Sequence, residues 1–151
     1  GIITAFEKIQ ELKIVEKYKP DYILYDVLGD VVCGGFAMPI KNGYADELYV
    51  VTSGEMMSLY AATNVIQAVR INKNPNMAKF KGIILNKKNI EKEDEIVARF
   101  CKEENVDLFH VINRHADIQS AETTKETVVS KFPDSVATKE YEALADKIEE
   151  S

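Results

Sequence analysis

The residues best equipped for chemistry crowd into one stretch, Asp26-Val27-Leu28-Gly29-Asp30-Val31-Val32-Cys33-Gly34-Gly35. Asp26 follows the apolar run Tyr22-Ile23-Leu24-Tyr25. Its carboxylate therefore falls at a strand end, where it can contact a metal–nucleotide complex directly or through water. Gly29 gives the backbone just after it the freedom that a switch loop needs. Cys33 is followed by Gly34-Gly35, which leaves backbone N–H groups free to approach a ligand. A thiolate on such a loop suits an iron–sulfur cluster, because N–H···S bonds tune the cluster's potential. One cysteine cannot hold a four-iron cluster, which normally takes four thiolates. The competing reading is that Cys33 is a small buried residue, and spacing alone favours that reading.

Other polar and sulfur-bearing residues carry blander expectations. Cys101 shares an amphipathic helix with Val97 and Phe100 and reads as core or surface filler. His110 falls inside an apolar strand and reads as a satisfied structural histidine, whereas His115 sits on a loop at a strand edge, near enough for a nucleotide to be considered. The Met56-Met57 pair is expected to pack, and the Glu91–Glu95 charge cluster to form a solvated helix face with i,i+4 support.

These residues are positioned by an alternation of strand-like runs and amphipathic helices, the pattern of a parallel α/β sheet flanked by helices. Ile2, Phe6, Ile9 and Leu12 recur at helical spacing, predicting a helix to Tyr18 that Lys19-Pro20 stops. Strands are predicted at Tyr22–Tyr25, Leu48–Val51, Phe80–Leu85 and Leu108–Ile112, with a glycine-rich loop from Leu28 to about Gly43. Thr52 with Glu55 predicts a capping box opening a long helix, whose stripe is Met56, Leu59, Tyr60, Thr63, Ile66 and Val69. Asn74-Pro75-Asn76 reads as a turn, and a charged helix covers roughly Glu91 to Glu104. Tyr141, Leu144, Ala145 and Ile148 mark a closing helix, with Thr138 as its expected cap. The four strand ends are Asp26, Thr52-Ser53, Asn86 and Asn113-Arg114. All carry polar residues, as the binding edge of an open sheet does.

With 151 residues the chain fits a single α/β domain with a real core. A net charge of −6, with acids and bases interspersed, argues against a nucleic-acid surface and gives no support for binding anionic membranes. No apolar run is long enough to span a bilayer. Two cysteines 68 positions apart make no disulfide framework, so a reducing cytoplasmic setting is expected.

The run from Tyr25 to Ile40 resembles, almost letter for letter, the switch II and cluster-loop segment of nitrogenase iron proteins. Ser53-Gly54-Glu55-Met56-Met57, Tyr60-Ala61-Ala62 and Asn64 resemble the next strand–helix junction of that family. The similarity continues through Asn86-Lys87-Lys88-Asn89, Glu93-Asp94-Glu95, Arg114, Gln119, Ala121-Glu122 and Glu140-Tyr141. The resemblance implies an α/β P-loop NTPase fold, present here in part. It also implies a homodimer that binds MgATP and shares one 4Fe–4S cluster between its subunits. Electrons would come from a donor such as ferredoxin or flavodoxin and pass to a catalytic partner protein. On this resemblance Cys33 is a cluster ligand and Asp26 is the switch II aspartate linked to nucleotide and magnesium. Asp30 is a second switch carboxylate, implicated in activating the attacking water from across the dimer. Asn86 contacts the base, as an amide that both donates and accepts suits adenine, and Gln119, Glu122 and Tyr141 lie around the nucleoside.

The departures from the family are equally specific. No G-x-x-x-x-G-K-[ST] occurs; Gly29 and Gly34 have the glycine spacing, but Gly35-Phe36 follows. In the family that loop and the first cluster cysteine precede the glycine that Gly1 matches. The chain is therefore expected to be the C-terminal portion of a longer protein, unable alone to hydrolyse ATP or hold a stable cluster. Lys41 stands where arginine is usual, Leu85 where cysteine is common, His115 for an aspartate and Ala137 for a glutamine. These changes leave room for a reductase serving a tetrapyrrole-reducing enzyme, although Gly54-Glu55-Met56-Met57 is the nitrogenase-like form of its junction. A non-redox P-loop ATPase of the chromosome-partitioning type is the third alternative. Cys33 argues against it, because an ATPase switch needs no thiol.

Overall fold

The computed structural model describes residues 2–27, 43–71 and 74–151, which group into two compact units. The first holds residues 1–48 and 64–80, the second 49–63 and 81–151.

In the first unit the predicted N-terminal helix is two helices, α1 (Ile2–Glu11) and α2 (Ile14–Tyr18). The break falls at Lys13, whose φ of 47° leaves the right-handed region without a glycine or proline to announce it. Lys19 ends α2 through the left-handed region, its N–H closing on the Val15 carbonyl. Pro20 cannot continue the ladder.

The predicted strand at Tyr22–Tyr25 is not one. Residues 22–27 join no strand ladder among the described residues, and Leu24 is 87% exposed. An apolar run becomes a buried strand only where neighbours supply ladder partners and cover both faces. Tyr25 is half-buried; burial, then the nearby Asp46 and Tyr44, pushes its phenol up. The predicted turn at Asn74–Asn76 is present, with Asn74 Oδ1 accepting the Asn76 N–H at 3.0 Å.

The second unit carries most of a three-stranded parallel sheet in the order β1-β2-β3, where β1 is Glu47–Thr52, β2 Lys79–Asn86 and β3 Leu108–Ile112. The central strand β2 has neighbours on both edges and buries Gly82, Ile83, Ile84 and Leu85 in succession. Its sequence is accordingly an unbroken apolar run rather than an alternation. Pairing with β3 skips a residue, matching Ile83 to Leu108 but Ile84 to His110. This bulge coincides with Gly82 at φ 144°, where a Cβ would stand 2.7 Å from the Asp107 carbonyl oxygen and 3.1 Å from Phe109 Cβ. Only a residue without a side chain allows β3 to begin so close.

Helices α3 (Met56–Ile71), α4 (Glu93–Glu103), α5 (Ala116–Thr123), α6 (Val128–Lys131) and α7 (Val136–Glu149) complete the described elements. None is long and apolar enough to cross a membrane. On α3 the buried residues are Ala62, Val65 and Ile66, whereas Met56, Met57 and Tyr60 are 83%, 73% and 61% exposed. The methionine pair therefore does not pack as expected. The predicted stripe was drawn on residue type, and the helix turns the small Ala62 inward in place of Tyr60.

Two caps also fall elsewhere than expected. Thr52 ends β1 and donates to the Ser53 carbonyl, while Ser53 Oγ takes the Glu55 N–H. Ser135, not Thr138, caps α7 by accepting the Thr138 N–H at 3.2 Å. Thr138 is instead fully buried and donates to the Phe132 carbonyl at 2.7 Å. Phe132 packs with Ile118 and Tyr141 against a small buried cluster of Ala121, Val128 and Ala137. The end of the chain is latched to the sheet: Lys147 Nζ donates to the Phe109 carbonyl, and Tyr49, its ring tilted 60° to that of Phe109 with centroids 4.8 Å apart, reaches Ser151 Oγ.

Gly82→Ala combines a positive φ with a contact that backbone atoms cannot relieve. It is expected to lower stability by about 2–3 kcal/mol. Urea unfolding checks this, as a lower midpoint at unchanged slope; an unchanged midpoint would contradict the close approach.

Candidate functional site

In the second unit, three strand ends emerge along one edge: Thr52-Ser53 after β1, Asn86 after β2 and Asn113-Arg114 after β3. The amides just past these ends have left the ladder and need other acceptors. Two carboxylates from the helices supply them.

Glu93, the first residue of α4, is 4% exposed. Its Oε1 accepts the Gly54 N–H at 2.9 Å, and its two oxygens share the Lys88 N–H at 3.1 and 3.0 Å. The Ile90 N–H adds a contact of 3.2 Å to Oε2. One side chain thus ties the loop after β1 to the loop after β2. Gly54 is required for this approach, since a Cβ there would meet Glu93 Cγ at 2.7 Å. Burial alone would raise the Glu93 carboxyl, but the amides of Gly54, Lys88, Ile90 and Asn89 outweigh it and hold the group below its ordinary range. The expected solvated face at Glu91–Glu95 is therefore corrected at its centre. Glu93 lies four residues before Val97 and seven before Phe100, both buried. That helical spacing on the apolar stripe was the signal available in the sequence.

Glu140 does the same for the end of β3. It accepts the Asn113 N–H at 2.8 Å and the Asn113 side-chain amide at 2.7 Å. His115 Nε2 lies 3.1 Å from Glu140 Oε2, close enough for an ion pair when protonated but not aligned as a hydrogen bond. Burial would raise the Glu140 carboxyl; the two Asn113 donors and then His115 reverse this and hold it low. The Glu140 backbone carbonyl partners His110 Nε2 at 2.9 Å, so His110 is the satisfied structural histidine expected of it.

Among the residues singled out from sequence, Asn86 is exposed at the end of β2, in register with Ile112 and one step from Asn113. Tyr141, next to Glu140, is half-buried; burial first, then Glu122 and Glu140, pushes its phenol up. That electrostatic proximity brings Tyr141 and Glu122 together across α5 and α7. Gln119 is exposed one turn before Glu122 on α5. Asp26 is exposed in the first unit. Asp30, Cys33 and Lys41, with the glycine-rich loop around them, lie outside the described residues. Among the described residues no group of three or more His, Cys, Asp or Glu side chains is placed to hold a metal ion. Cys101 is buried, and burial, then Asp107, pushes its thiol up, which disfavours the thiolate a metal requires.

Because Glu93 is held low in the folded chain, its ionised form stabilises the fold above the ordinary carboxyl value of 4.5, and that contribution is lost as pH falls through the lowered value. Glu93→Gln is expected to cost about 1–3 kcal/mol at neutral pH and to shrink toward no effect in acid. Denaturant titrations at pH 7 and at pH 3 check this; an equal penalty at both would overturn the assignment of the carboxylate as ionised.

Comparison with known proteins agrees with this architecture. Over 95% of this chain and 57% of the other, the fold superposes on the Pyrococcus furiosus cell division ATPase MinD with a TM-score of 0.69 at 23% identity. The similarity is one of fold, that of P-loop ATPases. A curated nitrogenase iron protein from Methanospirillum hungatei is 43% identical over 150 residues, which are 98% of this chain and 52% of that protein. The chain thus spans about half the length of this curated relative. The profile of the 4Fe-4S iron sulfur cluster binding proteins, NifH/frxC family, matches residues 1–151, and the chain belongs to that family.

Proposed function

We propose that this chain is part of an ATP-dependent electron donor that passes electrons from a 4Fe–4S cluster to nitrogenase. The observation that carries the reading is the family match along all 151 residues, which includes the Cys33 loop. In this reading Cys33 is one of the cluster's ligands, and the bound cluster supplies one-electron transfer. A second cysteine of the longer protein, and the same pair from a second copy, supply the other three thiolates, making a homodimer. Asp26 holds the magnesium–nucleotide complex, and Asp30 orients the attacking water.

The carboxyl edge of the second unit supports the nucleotide part of the reading. Asn86 presents an exposed amide at the end of β2, just after the buried run Gly82–Leu85, where ligands of open parallel sheets bind. Its donor and acceptor suit the edge of adenine. Tyr141, Glu122 and Gln119 on the adjoining helices flank the nucleoside. Glu93 and Glu140 keep the loops of this edge in place, so that a base meets a preformed surface. A ferredoxin- or flavodoxin-like protein delivers the electrons in the cytoplasm.

The test uses the full-length protein to which this chain belongs, prepared anaerobically. Its reduced state is expected to give a four-iron EPR signal that changes with MgATP and is lost in Cys33→Ala. An intact protein without any such signal would sink the electron-donor reading. Activity with the dinitrogen-reducing partner, set against a tetrapyrrole-reducing one, separates the two redox assignments. For the nucleoside contact, Asn86→Ala is expected to weaken MgADP binding on the order of tenfold or more by calorimetry. Binding as tight as in the unaltered protein would remove Asn86 from the site.

A further inference from the structure

We infer that Glu140 is a positioning residue for nucleotide binding: it fixes the Asn86-bearing edge of the sheet relative to the Tyr141-bearing helix. The inference rests on the proposed nucleoside site, and it adds a group that touches no nucleotide itself.

Asn86 and Tyr141 come from elements far apart in sequence, β2 and α7. A base gripped by both requires that the two be held at one distance, because an error of a fraction of an ångström weakens every hydrogen bond made to it. Asn86 is exposed and ends its strand, so its own packing does little to hold it. Its position is inherited from β3. Asn86 is in register with Ile112, and the next amide, Lys87 N–H, donates to the Ile112 carbonyl at 2.9 Å. The residue after Ile112 is Asn113, and both its backbone and its side-chain amide are captured by Glu140, at 2.8 and 2.7 Å. The Glu140 carbonyl closes a further link to β3 through His110 Nε2 at 2.9 Å. Tyr141 is the next residue along α7.

A chain of short contacts therefore runs from Asn86 through Lys87, Ile112 and Asn113 to Glu140, and from there along one helical residue to Tyr141. Glu140 is the only one of these links that joins α7 to the loop after β3 by a charged acceptor, and charge-assisted bonds are the stronger and shorter kind. Its side chain is only 18% exposed, so water competes poorly for the Asn113 amides. His115, at 23% exposure, lies against the same carboxylate and adds a third side chain to the latch. The family aspartate that His115 replaces would instead set two carboxylates side by side. Cutting the latch leaves both nucleoside contacts present while letting the distance between them vary.

The experiment is a double-mutant cycle on the full-length protein, with MgADP affinity read by calorimetry well below the unfolding midpoint. The variants are Asn86→Ala, Glu140→Gln and the pair combined, with Asn113→Ala removing the side-chain leg alone. Thr138→Val, buried on the same helix but outside the latch, serves as the control for lost stability. Glu140→Gln is expected to weaken MgADP on the order of tenfold, and Asn113→Ala less. In the Asn86→Ala background Glu140→Gln is expected to have little further effect, since the contact it positions is gone. Thr138→Val is expected to lower the melting temperature without changing affinity. Full additivity of Asn86→Ala and Glu140→Gln, or unchanged affinity in Glu140→Gln while Asn86→Ala binds weakly, would overturn the positioning role and leave the nucleoside site intact. If Asn86→Ala binds as tightly as the unaltered protein, the nucleoside site itself fails and the positioning role fails with it.

Discussion

Amides that leave a parallel sheet at its carboxyl end have lost their ladder partners, and in this chain two ionised carboxylates take them over. Glu93 gathers Gly54, Lys88 and Ile90; Glu140 gathers both amides of Asn113. An unpaired buried carboxylate would cost several kcal/mol and would take up a proton instead. Several converging N–H donors reverse that preference, which is why both groups are held below the ordinary carboxyl range despite burial. The loops along this edge are ordered by charge-assisted bonds from helices, and the helices are in turn oriented by the loops they hold.

The same arrangement explains why this edge can carry ligand contacts. A loop built for recognition must expose some polar groups and still keep a fixed shape, which conflicts with the hydration its backbone would otherwise seek. Buried acceptors resolve the conflict from beneath and leave Asn86 and Gln119 facing outward. The sheet contributes rigidity of a different kind. Gly82 lets β3 begin against β2 more closely than any side chain permits, and the resulting bulge sets which residues of β3 stand beside Ile84, Leu85 and Asn86. The spacing at the carboxyl edge thus depends on a glycine in the middle of the strand, four residues before Asn86.

The chain belongs to the NifH/frxC family of 4Fe-4S iron sulfur cluster binding proteins, and its fold is like that of the Pyrococcus furiosus cell division ATPase MinD. Methanospirillum hungatei's nitrogenase iron protein is about twice as long as this chain. The proposed electron transfer concerns a protein of that relative's length, of which this chain covers about half.

Much of this was legible in the amino-acid sequence. Apolar runs at Leu48–Val51, Phe80–Leu85 and Leu108–Ile112 became strands, and the family was readable from the residues around Cys33 and Gly54-Glu55, because local pattern and motif identity need no partner to be recognised. What depended on partners was not legible. Tyr22–Tyr25 has the composition of a strand but joins no ladder among the described residues, and α1 and α2 part at a lysine that nothing local distinguishes. Met56 and Tyr60 have the spacing of a core stripe yet face outward, because which side of a helix is covered is decided by what packs on it. Glu93 looked like one acid in a charged cluster, and Glu140 like one of many helical glutamates. Only the tertiary structure, by bringing Gly54 within reach of one and Asn113 within reach of the other, turned two ordinary acids into the anchors of the candidate site. The sequence determines which side chains are on hand; the free energy of burying a charge, settled by distant amides, decides which of them the fold is built around.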